Sequence, residues 1–572
     1  MNDIRRTILW VIFGFSMVLL WDKWQLHNGN KATFFPTAAP VAATAPAGTA
    51  SASAGAASVP STTNSAAPAT ASAQGASAVP GQPAPTAAPA TRERVQVTTD
   101  VYRLTFDSEG GSLTHAELLK HADIGDKSGK NFLLLDESAN RVYVAQTGLI
   151  GGAFPTHKTL MTAVAGPREL KDGQDELSIR FDSPEQGGVK LVKTWTVKRG
   201  QYDIAVKHEV VNTGTAPVSP ELYLQLVRDG NKPPGESSFY STFTGPAVYT
   251  EAKKYQKVEF KDIEAGKVDI QKDSTNGYVA MVQHYFATAW LLGNDIPRNL
   301  FMRKVDTNLY SVGMITQLGA IAPGASKTVD ARLFAGPQVE KTLEALTPGL
   351  ELVKDYGWLT ILSKPLYWLL DQLHKILGNW GWAIVALVLL LKIAFYWLNA
   401  KAYASMAKMK AINPKIMEMR ERLKDKPQQM QQEMMRIYRE EKVNPMGGCF
   451  PIMIQIPVFI ALYWVLLSSV EMRNAPWIGW IHDLSAPDPF FILPLLMTLS
   501  SLLQTALNPA PPDPLQAKMM WFMPLIFSVM FFFFPAGLVL YWLTNNILSI
   551  AQQWIINTRM GVPPQFNLPS FK

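Results

Sequence analysis

The chain has 572 residues, 53 Lys and Arg against 46 Asp and Glu, and one cysteine. That length holds several domains. The lone Cys449 excludes an intrachain disulfide framework and any multi-cysteine metal centre, and a net charge of +7 is too mild to point to nucleic acid.

At the N-terminus, Arg5 and Arg6 precede an apolar run over residues 8–21. A secretory signal shares that charged start, but its cleavage site needs small residues, and Trp21, Asp22, Lys23 and Trp24 follow here. Residues 1–31 therefore read as an uncleaved transmembrane anchor, its N-terminus held in the cytoplasm by Arg5 and Arg6. Residues 32–91 carry no charge and consist almost wholly of Ala, Pro, Ser, Thr and Gly. Such a stretch cannot bury a core and reads as a disordered tether.

Residues 92–345 change character. Tyr202, Ile204 and Val206 alternate with Asp203, Ala205 and Lys207, and Leu222, Leu224 and Leu226 with Tyr223 and Gln225. Turn signals such as Glu109-Gly110-Gly111, Arg199-Gly200 and Asn212-Thr213-Gly214 separate the runs. The pattern predicts an antiparallel β-sandwich, placed outside the cytoplasm by the preceding anchor. Residues 346–378 turn helical, with Ile361, Leu362, Leu366, Leu369, Leu370, Leu373, Ile376 and Leu377 on one face and Ser363 able to cap the start ahead of Pro365. Two readings stand: a helix packed on the β domain, or, the preferred one, an amphipathic helix in the outer membrane interface.

Five further apolar segments, 382–398, 450–467, 490–503, 521–534 and 538–556, form a five-helix membrane core within residues 379–556, which with the anchor gives six spans. Several fall short of the ~20 residues that cross a normal bilayer, which calls for wider edges or local thinning. The 399–448 loop, with 11 Lys/Arg and 6 Asp/Glu, is cytoplasmic by its basic excess. It reads as a helical hairpin, 400–423 and 428–442. Met406, Met409, Met417, Met430 and Met434 on it are candidate contacts for apolar substrate, or equally core filler between the two helices. The short tail 557–572 ends in the cytoplasm. The expected fold class is thus a polytopic α-helical membrane protein with a large external all-β sandwich.

Polar residues within spans are costly and usually functional. Lys392, Gln455, Asn545, Asn546, Ser549 and Gln552 all fall in the inner half of the membrane, with 545, 549 and 552 on one helical face. Ser528 adds polarity at a compatible depth. The spans hold no acidic partner for Lys392. Its ammonium must snorkel, bind carbonyls or face water. The preferred solution is a hydrophilic groove open to the cytoplasm and closed towards the outside; the rival is plain snorkelling, with the amides bonding between helices.

The residues also carry a family resemblance. The run from Lys442 through Val443-Asn444-Pro445-Met446-Gly447-Gly448-Cys449-Phe450-Pro451, then Gln455-Ile456-Pro457-Val458-Phe459, Trp480-Ile481-His482-Asp483-Leu484-Ser485, Asp488-Pro489 and Pro535-Ala536-Gly537-Leu538-Val539-Leu540-Tyr541-Trp542, resembles the YidC membrane-protein insertases. The match covers 349–556, and the leader, tether and β domain look like the Gram-negative subgroup of the bacterial inner membrane. The resemblance implies a β-supersandwich, similar in fold to sugar mutarotases. It also implies a groove whose positive residue, usually Arg, is Lys392 here, and a substrate-contacting aromatic pair at Tyr541 and Trp542. A nearby Pro of some members is replaced by Trp397. Implied partners are nascent membrane proteins, the Sec translocon, the ribosome, a targeting receptor and lipid. Where some members carry a strongly basic, ribosome-holding tail, residues 557–572 hold only Arg559 and Lys572.

The reading is an insertase and chaperone, not an enzyme, with no cofactor and no metal. An ion or solute transporter would use the same polar residues but wants a path through the whole membrane, and these stop halfway. An enzyme finds no paired carboxylates, Ser/His pair or HExxH in the spans. His115, His121, His157, His208 and His284 of the β domain could mimic a sugar site but read as ordinary surface or core histidines.

Overall fold

A computed structural model describes residues 92–123, 129–233, 242–423, 426–441, 450–508 and 514–559, with Pro60, Gly561 and Phe566. The proposed anchor, all of the tether but Pro60, most of the Lys442-to-Pro451 motif and most of the tail lie outside the described residues. The chain divides into two compact units, one ending at Asp355 and one running from Tyr356 onward.

The first unit is built on two antiparallel sheets of nine strands each among the described residues. At the centre of one sheet, strand Glu221–Asp229 pairs with Val142–Ile150 and with Leu309–Gln317. At the centre of the other, Asp203–Asn212 pairs with Val189–Lys198 and with Ser326–Pro337. The expected alternation holds at Ile204 and Val206, which are buried while Ala205 and Lys207 are exposed. It fails at Leu222–Leu226, where both faces are buried. The polar members of that strand are covered because they are satisfied: the Tyr223 hydroxyl accepts from the His157 amide at 2.9 Å, and Gln225 Nε2 donates to Gln146 Oε1 at 3.0 Å. The Gly110 turn is obligatory, with φ +72° and a Cβ position 2.4 Å from the His157 carbonyl oxygen. Two short helices, α1 (Phe260–Glu264) and α2 (Glu340–Leu346), belong to this unit.

Lys193, His157 and His208 are among the basic side chains buried in this unit. Lys193 Nζ donates to the Gly110 and Thr147 carbonyls, both at 2.6 Å, and His208 Nε2 lies 3.0 Å from Thr147 Oγ1. Burial pushes the Lys193 ammonium from 10.5 down to about 7. Burial, helped by neighbouring cations, pushes His157 and His208 from 6.5 down to about 3. In each case the unfolded chain binds more protons between the two values, so stability rises with pH through that window and falls as pH drops. Hydrogen exchange in the full-length protein should therefore show Val189–Lys198 losing protection from pH 6.5 towards 3, and a second, separate decline from pH 10 to 7. Lys193→Met should abolish only the decline above pH 7; if that decline persists in the variant, it has another origin.

The second unit is helical: α3 (Thr360–Leu377), α4 (Trp380–Ala394), α5 (Tyr396–Arg422), α6 (Pro427–Glu440), α7 (Phe450–Ser468), α8 (Ile492–Leu507), α9 (Pro514–Phe531) and α10 (Ala536–Arg559). Its apolar core is formed by α3, α4, α7 and α10 around Leu370, Ile384, Leu387, Leu462, Val465 and Val539. Ser363 is not the cap of α3. The helix starts three residues earlier, Pro365 lies inside it, and the buried Ser363 hydroxyl donates to the Ala461 carbonyl at 3.3 Å. A side chain drawn into packing is lost to capping. Only part of the predicted apolar face of α3 is buried: Leu366 and Leu370 are covered, while Ile361, Ile376 and Leu377 stay exposed with Trp368. At α4, Asn379 is a true cap, its side chain accepting from the Trp382 amide.

The start of α8 is fixed by the buried Asp488. Its carboxylate accepts from Trp480 Nε1 and the Phe490 amide, each at 3.0 Å, and from the Leu493 amide at 2.7 Å. The outer faces of α8 and α9 expose Leu495, Leu496, Leu499, Phe522, Leu525, Ile526 and Val529. So continuous an apolar surface needs a cover. Among the described residues no single helix is long and apolar enough to cross a membrane; Trp380–Ala394 with Tyr396–Met409, bent by 69°, passes as a pair. The expected 382–398 span is thus broken at Phe395, three residues beyond Lys392.

Candidate functional site

The polar residues converge on α10, which presents two stripes. Asn545, Ser549 and Gln552 form the first, at i, i+4, i+7 spacing. Lys392, in the last turn of α4 and only 8% exposed, donates from Nζ to Ser549 Oγ at 2.7 Å. Gln455 Nε2 on α7 donates to Asn545 Oδ1 at 3.0 Å, and Asn399 Nδ2 on α5 to Gln552 Oε1 at 3.3 Å. The second stripe, Asn546 and Gln553, faces α8. Asn546 Nδ2 donates to Ser501 Oγ at 2.8 Å and Ser500 Oγ at 3.1 Å, and Gln553 Nε2 to Asn508 Oδ1 at 3.3 Å. One helix therefore ties four neighbours together through polar contacts, and Asn545, Asn546 and Ser549 also border a cavity.

That cavity is a groove of about 590 Å³. One wall is polar, with Asn399 and Tyr403 on α5, Gln455 on α7, and Asn545, Asn546 and Ser549 on α10. The opposite wall is apolar, with Met520, Met523 and Phe527 on α9. Tyr541 and Trp542 line it beside Phe459, whose ring stands edge-on to Trp542 at 4.4 Å; Phe531 packs on the same indole at 5.0 Å. Behind the polar wall lies a second cavity of about 30 Å³, the space of roughly one water molecule. Lys392 lines this inner cavity together with Asn399, Gln455, Tyr541 and Asn545. The ammonium is thus one layer behind the groove surface, with Ser549 between.

Of the predicted residues, Gln455, Tyr541, Trp542, Asn545, Asn546 and Ser549 meet at the groove, and Lys392 backs it. Gln552 is engaged with Asn399 instead. Ser528 is turned into its own helix, its hydroxyl donating to the Pro524 carbonyl at 2.6 Å. Among the methionines, Met406 lines the groove. Met409, Met430 and Met434 pack on Ile412, Ile416 and Met419 between α5 and α6, so the filler reading holds for these three. Met417 is exposed and stands apart from that cluster. Sequence reasoning left out Asn399, Tyr403, Ser500 and Ser501. Asn399 stands seven residues after Lys392, a spacing that was visible; paired serines in an apolar span are a recognisable hydrogen-bonding signal.

An all-β domain followed by a helical bundle with a half-polar groove defines a class of integral membrane proteins, and comparison gives the family. Residues 94–369 match the YidC periplasmic domain and residues 372–562 the 60Kd inner membrane protein family. The membrane protein insertases YidC of Ralstonia nicotianae and Cupriavidus necator are each 56% identical to this chain, over 98% of both sequences. The chain belongs to the YidC family of inner membrane proteins with a periplasmic domain. Among solved structures, an active YidC insertase with its first transmembrane domain resolved is similar at 20% identity, TM-score 0.38, covering 81% of this chain and 92% of that one. A putative aldose 1-epimerase from Escherichia coli matches 43% of this chain and 99% of its own at 9% identity, TM-score 0.26.

Proposed function

We propose that this protein is a membrane-protein insertase and chaperone that passes transmembrane segments of nascent proteins into the inner membrane, alone or beside the Sec translocon. The observation that carries this is a groove with one polar and one apolar wall. A polypeptide segment with a polar tail and an apolar body needs both: amides and a buried positive charge for the tail, and methionine and phenylalanine surface for the body. The short polar tail enters beside Gln455, Asn545 and Ser549, an acidic residue on it is drawn by Lys392, and the apolar segment slides between α7 and α9 into lipid. No covalent bond changes. The family gives the transporter alternative no support.

The topology that fits this role has six spans, both termini in the cytoplasm and the β domain in the periplasm. Helix lengths favour a thinned bilayer: the 16 residues of α8 and 18 of α9 rise about 24 and 27 Å, less than the usual ~30 Å hydrocarbon core. Thinning shortens the distance a polar tail must travel through lipid.

A photo-crosslinking residue tests the groove. A short-tailed substrate arrested in proteoliposomes should crosslink to a probe at Trp542 or Met523 and not at Leu496 on the outer face of α8. Equal labelling at Leu496 would refute passage through the groove.

A further inference from the structure

We infer that Ser549 is the positioning residue of the groove, the hydroxyl that holds the Lys392 charge at the depth where a substrate carboxylate is recognised. The inference rests on the insertase reading above. The hydrogen-bond roles are fixed by chemistry. An ammonium only donates, so Ser549 Oγ must accept from Lys392 Nζ at 2.7 Å, and its single proton is then committed to the Asn545 carbonyl, also at 2.7 Å. Ser549 is 3% exposed, and the Tyr403 hydroxyl is a third hydrogen-bond partner of the same side chain. It also borders the groove, whereas Lys392 borders only the smaller cavity behind it. The charge therefore acts on the groove from a place that Ser549 sets.

Without that acceptor the lysine has somewhere else to go. It lies in the last turn of α4, and the chain bends by 69° just beyond it. A flexible stem at a helix end snorkels towards water, here away from Asn545 and towards Gln552 on α10 and its partner Asn399 on α5. A compact ammonium depends on a single well-placed acceptor more than a guanidinium fork does, since the fork can take several partners at once. The Ser549 contact is thus tied to the presence of lysine at 392.

The test is insertion of two short-tailed substrates, identical except for one Asp or one Asn in the tail, by the full-length protein in proteoliposomes. Ser549→Ala should lower the Asp-over-Asn preference roughly three- to tenfold, insertion of the Asp substrate falling more than that of the Asn substrate. Ser549→Thr, which keeps the hydroxyl, should restore the preference. Moving the Asp along the tail should show the optimum of Ser549→Ala shifted towards the cytoplasmic end. With Arg at 392, the alanine substitution should matter less. A loss equal for both substrates would mark Ser549 as merely structural, and an unchanged or increased preference would also overturn the inference. Lys392→Ala separates the two levels. If it leaves the preference intact, the insertase reading of Lys392 fails; if it abolishes the preference while Ser549→Ala does not, only the role of Ser549 fails.

Discussion

Asp488→Ala should cost the helical unit at least about 3 kcal/mol and lower its melting temperature in detergent by several degrees. The carboxylate is 1% exposed and accepts three N–H donors: the Trp480 indole and the Phe490 and Leu493 amides. Removing it strands buried donors, which costs more than the bonds themselves contribute. The damage reaches the site, because α8 supplies Ser500 and Ser501, the partners that hold Asn546 and hence the rotation of α10. Asp488→Asn is the informative companion. It keeps an acceptor for Trp480 and Phe490 but turns an NH₂ towards the Leu493 amide, so about half the loss is expected. An unchanged melting temperature in Asp488→Ala would show that α8 is anchored elsewhere.

The largest functional effect is expected at Lys392. Two unit charges about 4 Å apart at an effective dielectric near 20 attract by about 4 kcal/mol before desolvation. A third of that surviving is about tenfold in rate or affinity. Lys392→Ala should therefore reduce insertion of an acidic short-tailed substrate about tenfold or more, measured as protease-protected product in proteoliposomes. Lys392→Arg should retain most of it, because charge is kept and Gln455 and Asn545 lie within the same polar wall. Full insertion by Lys392→Ala would mean that the polar stripe of α10 and bilayer thinning suffice.

The β domain was legible because its strands follow a period of two between glycine turns, and the groove because polar residues in spans are few. What escaped has physical causes. Tyr223 and Gln225 were placed opposite the core face, yet tertiary partners let both faces of that strand be buried. Ser363 looked like a cap because capping is local, and packing against Ala461 overrode it. Ser528 had the right depth, but its hydroxyl bonds back to the Pro524 carbonyl of its own helix. The break at Phe395 left no proline or glycine in the sequence to announce it, so the second span read as straight. The split of α10 into two stripes needed the positions of α4, α7 and α8, which periodicity along one helix does not supply.

The central claim is that a positive charge behind the groove selects an acidic tail. A charge exchange tests it most directly: wild type and Lys392→Glu, each given substrates with Asp or Lys at one tail position. Insertion should be high for the two opposite-sign pairs and low for the two like-sign pairs, so that Lys392→Glu is rescued by the Lys-tailed substrate. If Lys392→Glu inserts the Asp-tailed substrate as well as wild type does, charge at this position does not drive recognition and the account is wrong.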